Sequence, residues 1–131
     1  MTEKKKTRVL LAENDAFLSN IYKTKFEMEG FEFFTVSDGS AVQTMIKKKR
    51  PQIILLDILL PQKDGFTILK ELKESEEFKD IPVILLTNLG QKDDVKKGLE
   101  LGAADYLIKA HFKPAEIVDK VKKMMEKTGQ E

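Results

Sequence analysis

Five short apolar runs, separated by stretches of helical spacing, constrain this chain more than any other feature. They lie at Val9 to Ala12, Phe31 to Val36, Ile53 to Leu56, Val83 to Leu86 and Tyr106 to Ile108. The first, third and fourth are continuous rather than alternating, the pattern of strands covered on both faces in a parallel sheet. Between them run apolar stripes: Phe17, Leu18, Ile21, Tyr22 and Phe26; Ala41, Val42, Met45 and Ile46; Phe66, Ile68, Leu69 and Leu72. A weaker stripe of Val95, Leu99 and Leu101 precedes Gly102, and Ile117, Val118, Val121, Met124 and Met125 follow Pro114, which suits a first helical turn. Asn14 or Asp15 can cap the first helix, and Gly30 ends it. The order is therefore βα five times over. Right-handed crossovers between neighbouring parallel strands then leave mainly the doubly wound α/β sheets, three-layer sandwiches with helices on both faces.

The 131 residues suit one domain, expected over 1–131 with a core from about 7 to 126 and charged tails. Lys plus Arg number 23 against 22 Asp plus Glu, so no net field draws the chain to nucleic acid or to an acidic membrane. There is no cysteine, which excludes a disulfide framework and thiol chemistry, and the single histidine, His111, cannot make a zinc site alone. "MTEKKKTR" leads into only four apolar residues, too few for a signal peptide or a membrane span. A soluble cytoplasmic protein is expected, monomeric or weakly dimeric.

Against that background "IILLDILLP" stands out, because it sets Asp57 inside an otherwise apolar run. A carboxylate in a dry core costs several kcal/mol or turns neutral. Asp57 is therefore either paired or placed where the run surfaces. In a doubly wound sheet, ligands bind at the carboxyl ends of the strands, and Asp57 follows the third run. The residues ending the other strands share that rim: Glu13 and Asn14 after the first, Thr87 and Asn88 after the fourth, Lys109 after the fifth. A carboxylate nucleophile, oxygens for magnesium, a hydroxyl and a cation are the equipment for phosphoryl transfer to an aspartate.

With these residues in place, the chain resembles the receiver domains of bacterial response regulators over essentially its whole length. The stretches that carry the resemblance are "VLLAEND", "IILLDILLPQKDG", "PVILLTN" and "GAADYLIKA". It implies a flavodoxin-like fold with strand order 2-1-3-4-5, and a phosphoacceptor role for Asp57, fed by a histidine kinase or phosphotransfer protein with Mg²⁺ required. By the same resemblance, the metal would be held by Glu13, Asn14, Asp57 and the backbone carbonyl of Leu59. Thr87 and Lys109 would bind phosphoryl oxygens. Tyr106 corresponds to a switch aromatic that turns inward as Thr87 moves toward the phosphate, altering a partner-binding face made of the fourth helix, fifth strand and fifth helix. The implied protein is a switch and not an enzyme.

The sequence departs from the family pattern at two positions. The second of two adjacent acids after the first strand is Asn14, whose amide carries no charge, so metal affinity is expected to fall. Asp15 supplies the missing acid only under a one-residue register shift, and an acid there is already explained by the helix macrodipole. Ala110 stands where the family usually has a proline after a cis bond, and a cis bond to alanine costs roughly 2.5 to 4 kcal/mol. Leu59 and Leu89 are apolar neighbours expected to screen Asp57 from water. Asp64 and Gly65, after Pro61, make the turn into the third helix. The alternative to a phosphorylated switch is a degenerate receiver that binds partners through a fixed surface. A haloacid-dehalogenase-like phosphatase would need a second acid where Leu59 stands, and a flavodoxin would need a glycine- and hydroxyl-rich first loop where "AENDAF" stands.

Overall fold

In the computed structural model, which describes residues 5–128, five strands and five helices alternate as the apolar runs predict. The expected tails at 1–4 and 129–131 lie outside the described residues. The elements are β1 (Arg8–Ala12), α1 (Ala16–Met28), β2 (Glu32–Val36), α2 (Val42–Lys49), β3 (Ile53–Leu56), α3 (Gly65–Lys73), β4 (Val83–Thr87), α4 (Lys92–Glu100), β5 (Asp105–Ile108) and α5 (Pro114–Thr128). Single 3-10 turns at Gly39–Ala41 and Lys109–His111 lead into α2 and follow β5. All strand pairs are parallel and the sheet order is 2-1-3-4-5.

Strand side chains alternate between two apolar layers, because successive residues point to opposite faces. Val9, Leu11, Ile53, Leu55, Ile84 and Leu86 meet Tyr22 and Phe26 of α1 and Ile117, Val118 and Val121 of α5. Leu10, Ala12, Ile54, Leu56, Val83 and Leu85 meet Val42 and Ile46 of α2 and Ile68, Leu69 and Leu72 of α3. Fully burying one such side chain is worth about 1.5 to 3 kcal/mol, so four helices are firmly clamped. The exception is α4, whose one buried residue is Gly98. Its expected apolar stripe is poorly covered, with Val95 half-buried and Leu99 exposed.

The expected stripe on α1 needs correction. Its inward face is Ser19, Tyr22 and Phe26, while Phe17 is 77% exposed and Ile21 also stands at the surface. At 3.6 residues per turn, positions 17 and 21 lie on the far side of the helix from Ser19. The start of this helix is settled by Asp15, whose carboxylate accepts the Leu18 N–H at 3.1 Å.

Register brings the strand ends into line. Ala12 lies opposite Leu56, so Glu13 and Asp57 leave the sheet side by side. Asp57 N–H donates to the Ala12 carbonyl and Glu13 N–H to the Val36 carbonyl, both at 3.0 Å. Thr87 lies opposite Ile108, which sends Asn88 and Lys109 out together on the far side of Asp57.

Candidate functional site

Both halves of the question posed by Asp57 are answered at once: it sits at the end of its run, and it is paired. Asp57 is 5% exposed, at the mouth of β3. Behind it, the start of α3 approaches so closely that a Cβ on Gly65 would stand 2.3 Å from the Asp57 carbonyl oxygen. Only glycine fits there. Gly65 N–H donates to the Ile58 carbonyl at 2.8 Å, and Asp64 caps α3 by accepting the Thr67 N–H at 3.0 Å. The turn expected at Asp64 and Gly65 is therefore present, and Gly65 also forms the wall behind Asp57, which no local sequence signal announced.

Lys109 gathers the site from three strands. Its Nζ lies 2.6 Å from Asp57 Oδ2 and 2.5 Å from Glu13 Oε1. Glu13 is 3% exposed, and its other oxygen accepts the Asp15 N–H at 3.0 Å. The contact of Glu13 Oε1 with the ammonium is one of charge, since no donor is aligned on that buried oxygen. Burial is the largest single influence on Lys109 and pushes its pKa down. Attraction to the Asp57 and Glu13 carboxylates together outweighs it and holds the pKa above the usual lysine value. One ammonium thus faces two carboxylates, and the cluster keeps a net negative charge with a lone pair on Glu13 unclaimed by a donor. That donor set fits a hard divalent cation. Magnesium takes one or two carboxylates and keeps water or phosphate oxygens for its remaining positions; no cluster of three His, Cys, Asp or Glu side chains occurs among the described residues.

The remaining expected site residues surround this cluster unevenly. Asn14 is exposed on the loop between β1 and α1, and the register shift that would put Asp15 in its place is not adopted, because Asp15 caps the helix. Leu59 donates its N–H to Asp57 Oδ1 at 3.3 Å. Its side chain is 62% exposed, so the expected screening by Leu59 is not realised; the loop turns Leu60 inward instead. Leu89 is half-buried. Thr87 is fully buried at the end of β4, its hydroxyl accepting the Leu89 N–H at 3.4 Å. No cis peptide occurs among the described residues, and Lys109 reaches Asp57 with alanine after it.

Tyr106 lies inward. Its hydroxyl donates to the Leu89 carbonyl at 2.5 Å, and a Cβ on Gly98 would meet the ring at 2.9 Å. Burial first, then the charges of Asp94 and Asp57, push its phenol up to about 12. Tyr22, buried in α1, is also raised, by burial first, with the charges of Lys109, Glu13 and Asp57 acting on it. From the sequence alone, Tyr22 reads only as a member of the apolar stripe of α1. His111 is exposed in the turn after Lys109.

This geometry has close parallels. Residues 9–122 match the response regulator receiver domain family, and the chain belongs to it. The DNA-binding dual master transcriptional regulator RpaA of Synechocystis is 36% identical over 121 residues, 92% of this chain and 50% of that protein. The phosphate regulon transcriptional regulatory protein PhoB of Pseudomonas aeruginosa is 34% identical over 121 residues, 92% of this chain and 52% of that protein. The chain spans about half the length of these relatives. Among solved structures, the receiver domain of the Francisella response regulator 1452 superposes with a TM-score of 0.85 at 30% identity, covering 93% of this chain and 98% of that one. The manganese-bound form of response regulator Rcp1 superposes at 0.78 with 29% identity, covering 91% of each. The chain is thus a receiver domain of two-component signalling, a family in which magnesium binding and phosphorylation are typical. No helix among the described residues is long and apolar enough to cross a membrane.

Proposed function

We propose that this receiver is a phosphorylation-operated switch, itself not an enzyme, in which Asp57 accepts a phosphoryl group from a cytoplasmic histidine kinase or phosphotransfer protein. The observation that carries the reading is Lys109 Nζ lying 2.6 Å from Asp57 and 2.5 Å from Glu13, three groups from three strands. An Asp57 carboxylate oxygen forms the new bond to phosphorus as the donor's P–N bond breaks, and the departing imidazole leaves neutral after taking up a proton. Lys109 then pairs with a phosphoryl oxygen, and Thr87 donates its hydroxyl to another. Glu13, Asp57 and the Leu59 carbonyl would hold Mg²⁺, with Asn14 adding only a neutral amide. When bound, the ion supplies charge neutralisation among the crowded oxygens.

The face that answers is made of α4, β5 and α5. Its weakly anchored member is α4, held at Gly98 against the Tyr106 ring, and elements with few buried apolar contacts open at the lowest free energy. A protein partner docks on that face, with the chain working as a monomer or weak homodimer. Its near-balanced charge, 23 basic against 22 acidic residues, leaves no net field to draw nucleic acid to it.

Incubation with magnesium and acetyl phosphate, followed by intact mass, tests this reading. A gain of about 80 daltons, the mass of one phosphoryl group, present in the natural chain and absent in Asp57→Asn, is expected. No gain at any magnesium concentration overturns it and leaves the fixed-surface binding module. Restoring the second acid with Asn14→Asp is expected to lower the magnesium concentration needed for half-maximal labelling.

A further inference from the structure

The lysine that defines the site has a demanding path to follow. From β5 it must reach Asp57 on β3, two strands away, or about 10 Å at the usual strand spacing. A small tilt of the backbone at Lys109 therefore moves its ammonium by ångströms. The chain bends into a 3-10 turn at Lys109–His111, immediately after the last ladder pair. One contact fixes that bend from outside: Ala110 N–H donates to Asn88 Oδ1 at 3.1 Å. The partners are 22 residues apart, and each directly follows a site residue, Thr87 and Lys109.

We propose that Asn88 is a positioning residue, whose side-chain carbonyl holds the peptide after Lys109 and thereby aims the ammonium at Asp57 and Glu13. The inference rests on the phosphoacceptor reading of Asp57 and adds how the lysine is delivered. The chemistry suits an amide. Its oxygen accepts the N–H without adding a charge, whereas a carboxylate at position 88 would compete with Asp57 and Glu13 for the one ammonium. The device also needs a residue with a backbone N–H at position 110, which alanine has and proline lacks.

The test is a double-mutant cycle between Asn88→Ala and Ala110→Pro, read across the cycle by the Lys109 Nζ resonance and by the labelling rate. In the natural background, Asn88→Ala is expected to speed exchange of the Ala110 amide proton and to move the Lys109 Nζ resonance toward that of exposed lysines. It should also slow labelling by acetyl phosphate roughly three- to tenfold, the range of one hydrogen bond. In the Ala110→Pro background the bond and its amide proton are already gone, and Asn88→Ala should change neither the Lys109 resonance nor the labelling rate. An unmoved Lys109 resonance in Asn88→Ala, or an equal effect of Asn88→Ala in both backgrounds, overturns the proposal. Should no variant label, the natural chain included, the phosphoacceptor reading fails, while the Lys109 resonance still decides the role of Asn88. Asn88 is exposed, so its truncation leaves the core intact.

Discussion

Lys109 is the residue whose loss should be felt most. Lys109→Ala leaves two buried carboxylates, Glu13 and Asp57, without their common partner. Breaking a buried pair by removing one member costs about 3 to 5 kcal/mol, expected as a lower urea midpoint at neutral pH. Asp57→Asn is expected to cost under about 1 kcal/mol by the same measurement, because it leaves one ammonium facing one carboxylate and removes the excess negative charge. Gln62 offers a gain instead. It holds φ +72° in the loop after Pro61, a conformation glycine adopts at no steric cost, so Gln62→Gly should stabilise by about 0.5 to 1 kcal/mol. Tyr106 gives a pH signature. Its phenol is raised from 10.0 to about 12 by burial, with Asp94 and Asp57 adding to the shift. A raised pKa in the folded state favours the protonated form, so this stabilisation is whole below pH 10 and is lost as pH climbs from there through about 12. Both tyrosines are raised, so a near-ultraviolet absorbance titration should show late phenolate formation whose amplitude falls by about half in Tyr106→Phe, one of the two phenols being lost.

Helix α4 is where local preference and tertiary demand conflict. Glycine inside a helix costs about 1 kcal/mol relative to alanine, yet Gly98 is the residue through which α4 meets the sheet. A Cβ there would stand 2.6 Å from Leu85 Cδ1 and 2.9 Å from Tyr106 Cδ2. Overpacking of that kind costs typically 1 to 3 kcal/mol, so Gly98→Ala should not stabilise the protein, and it should expel the ring. The sign of success is a Tyr106 phenol that returns toward its ordinary pKa. The other elements were legible because their apolar periods were strong: strand bounds read from the sequence agree with the structure to within a residue at each end. Two things were not. The inward face of α1 includes Ser19, a polar residue that no apolar stripe can mark, and so Phe17 and Ile21 were misassigned to the core. The approach of Gly65 to the Asp57 carbonyl depends on how α3 docks, which local sequence does not encode.

The molecule as a whole divides into a stable frame and a responsive edge. Continuous apolar runs in β1, β3 and β4 bury both faces of the sheet, and α1, α2, α3 and α5 clamp it. The acids then sit where β1 and β3 end and the lysine where β5 ends, which is why the rim of the site could be read from strand order before any contact was known. Which of the rim residues would touch could not be read that way. Asn14 and Lys109 both follow strands, but Asn14 is left exposed on the loop where Asp15 caps α1, while Lys109 reaches past the end of β4 to Asp57. The central claim is that a phosphoryl group at Asp57 is felt on α4 and β5. Amide hydrogen exchange, compared with and without magnesium and acetyl phosphate, tests it most directly. Changes in exchange should concentrate in residues 87–111 and disappear in Asp57→Asn, with the strands β1 and β3 unaltered. Stoichiometric labelling of Asp57 that leaves exchange across α4 and β5 unchanged would contradict the account.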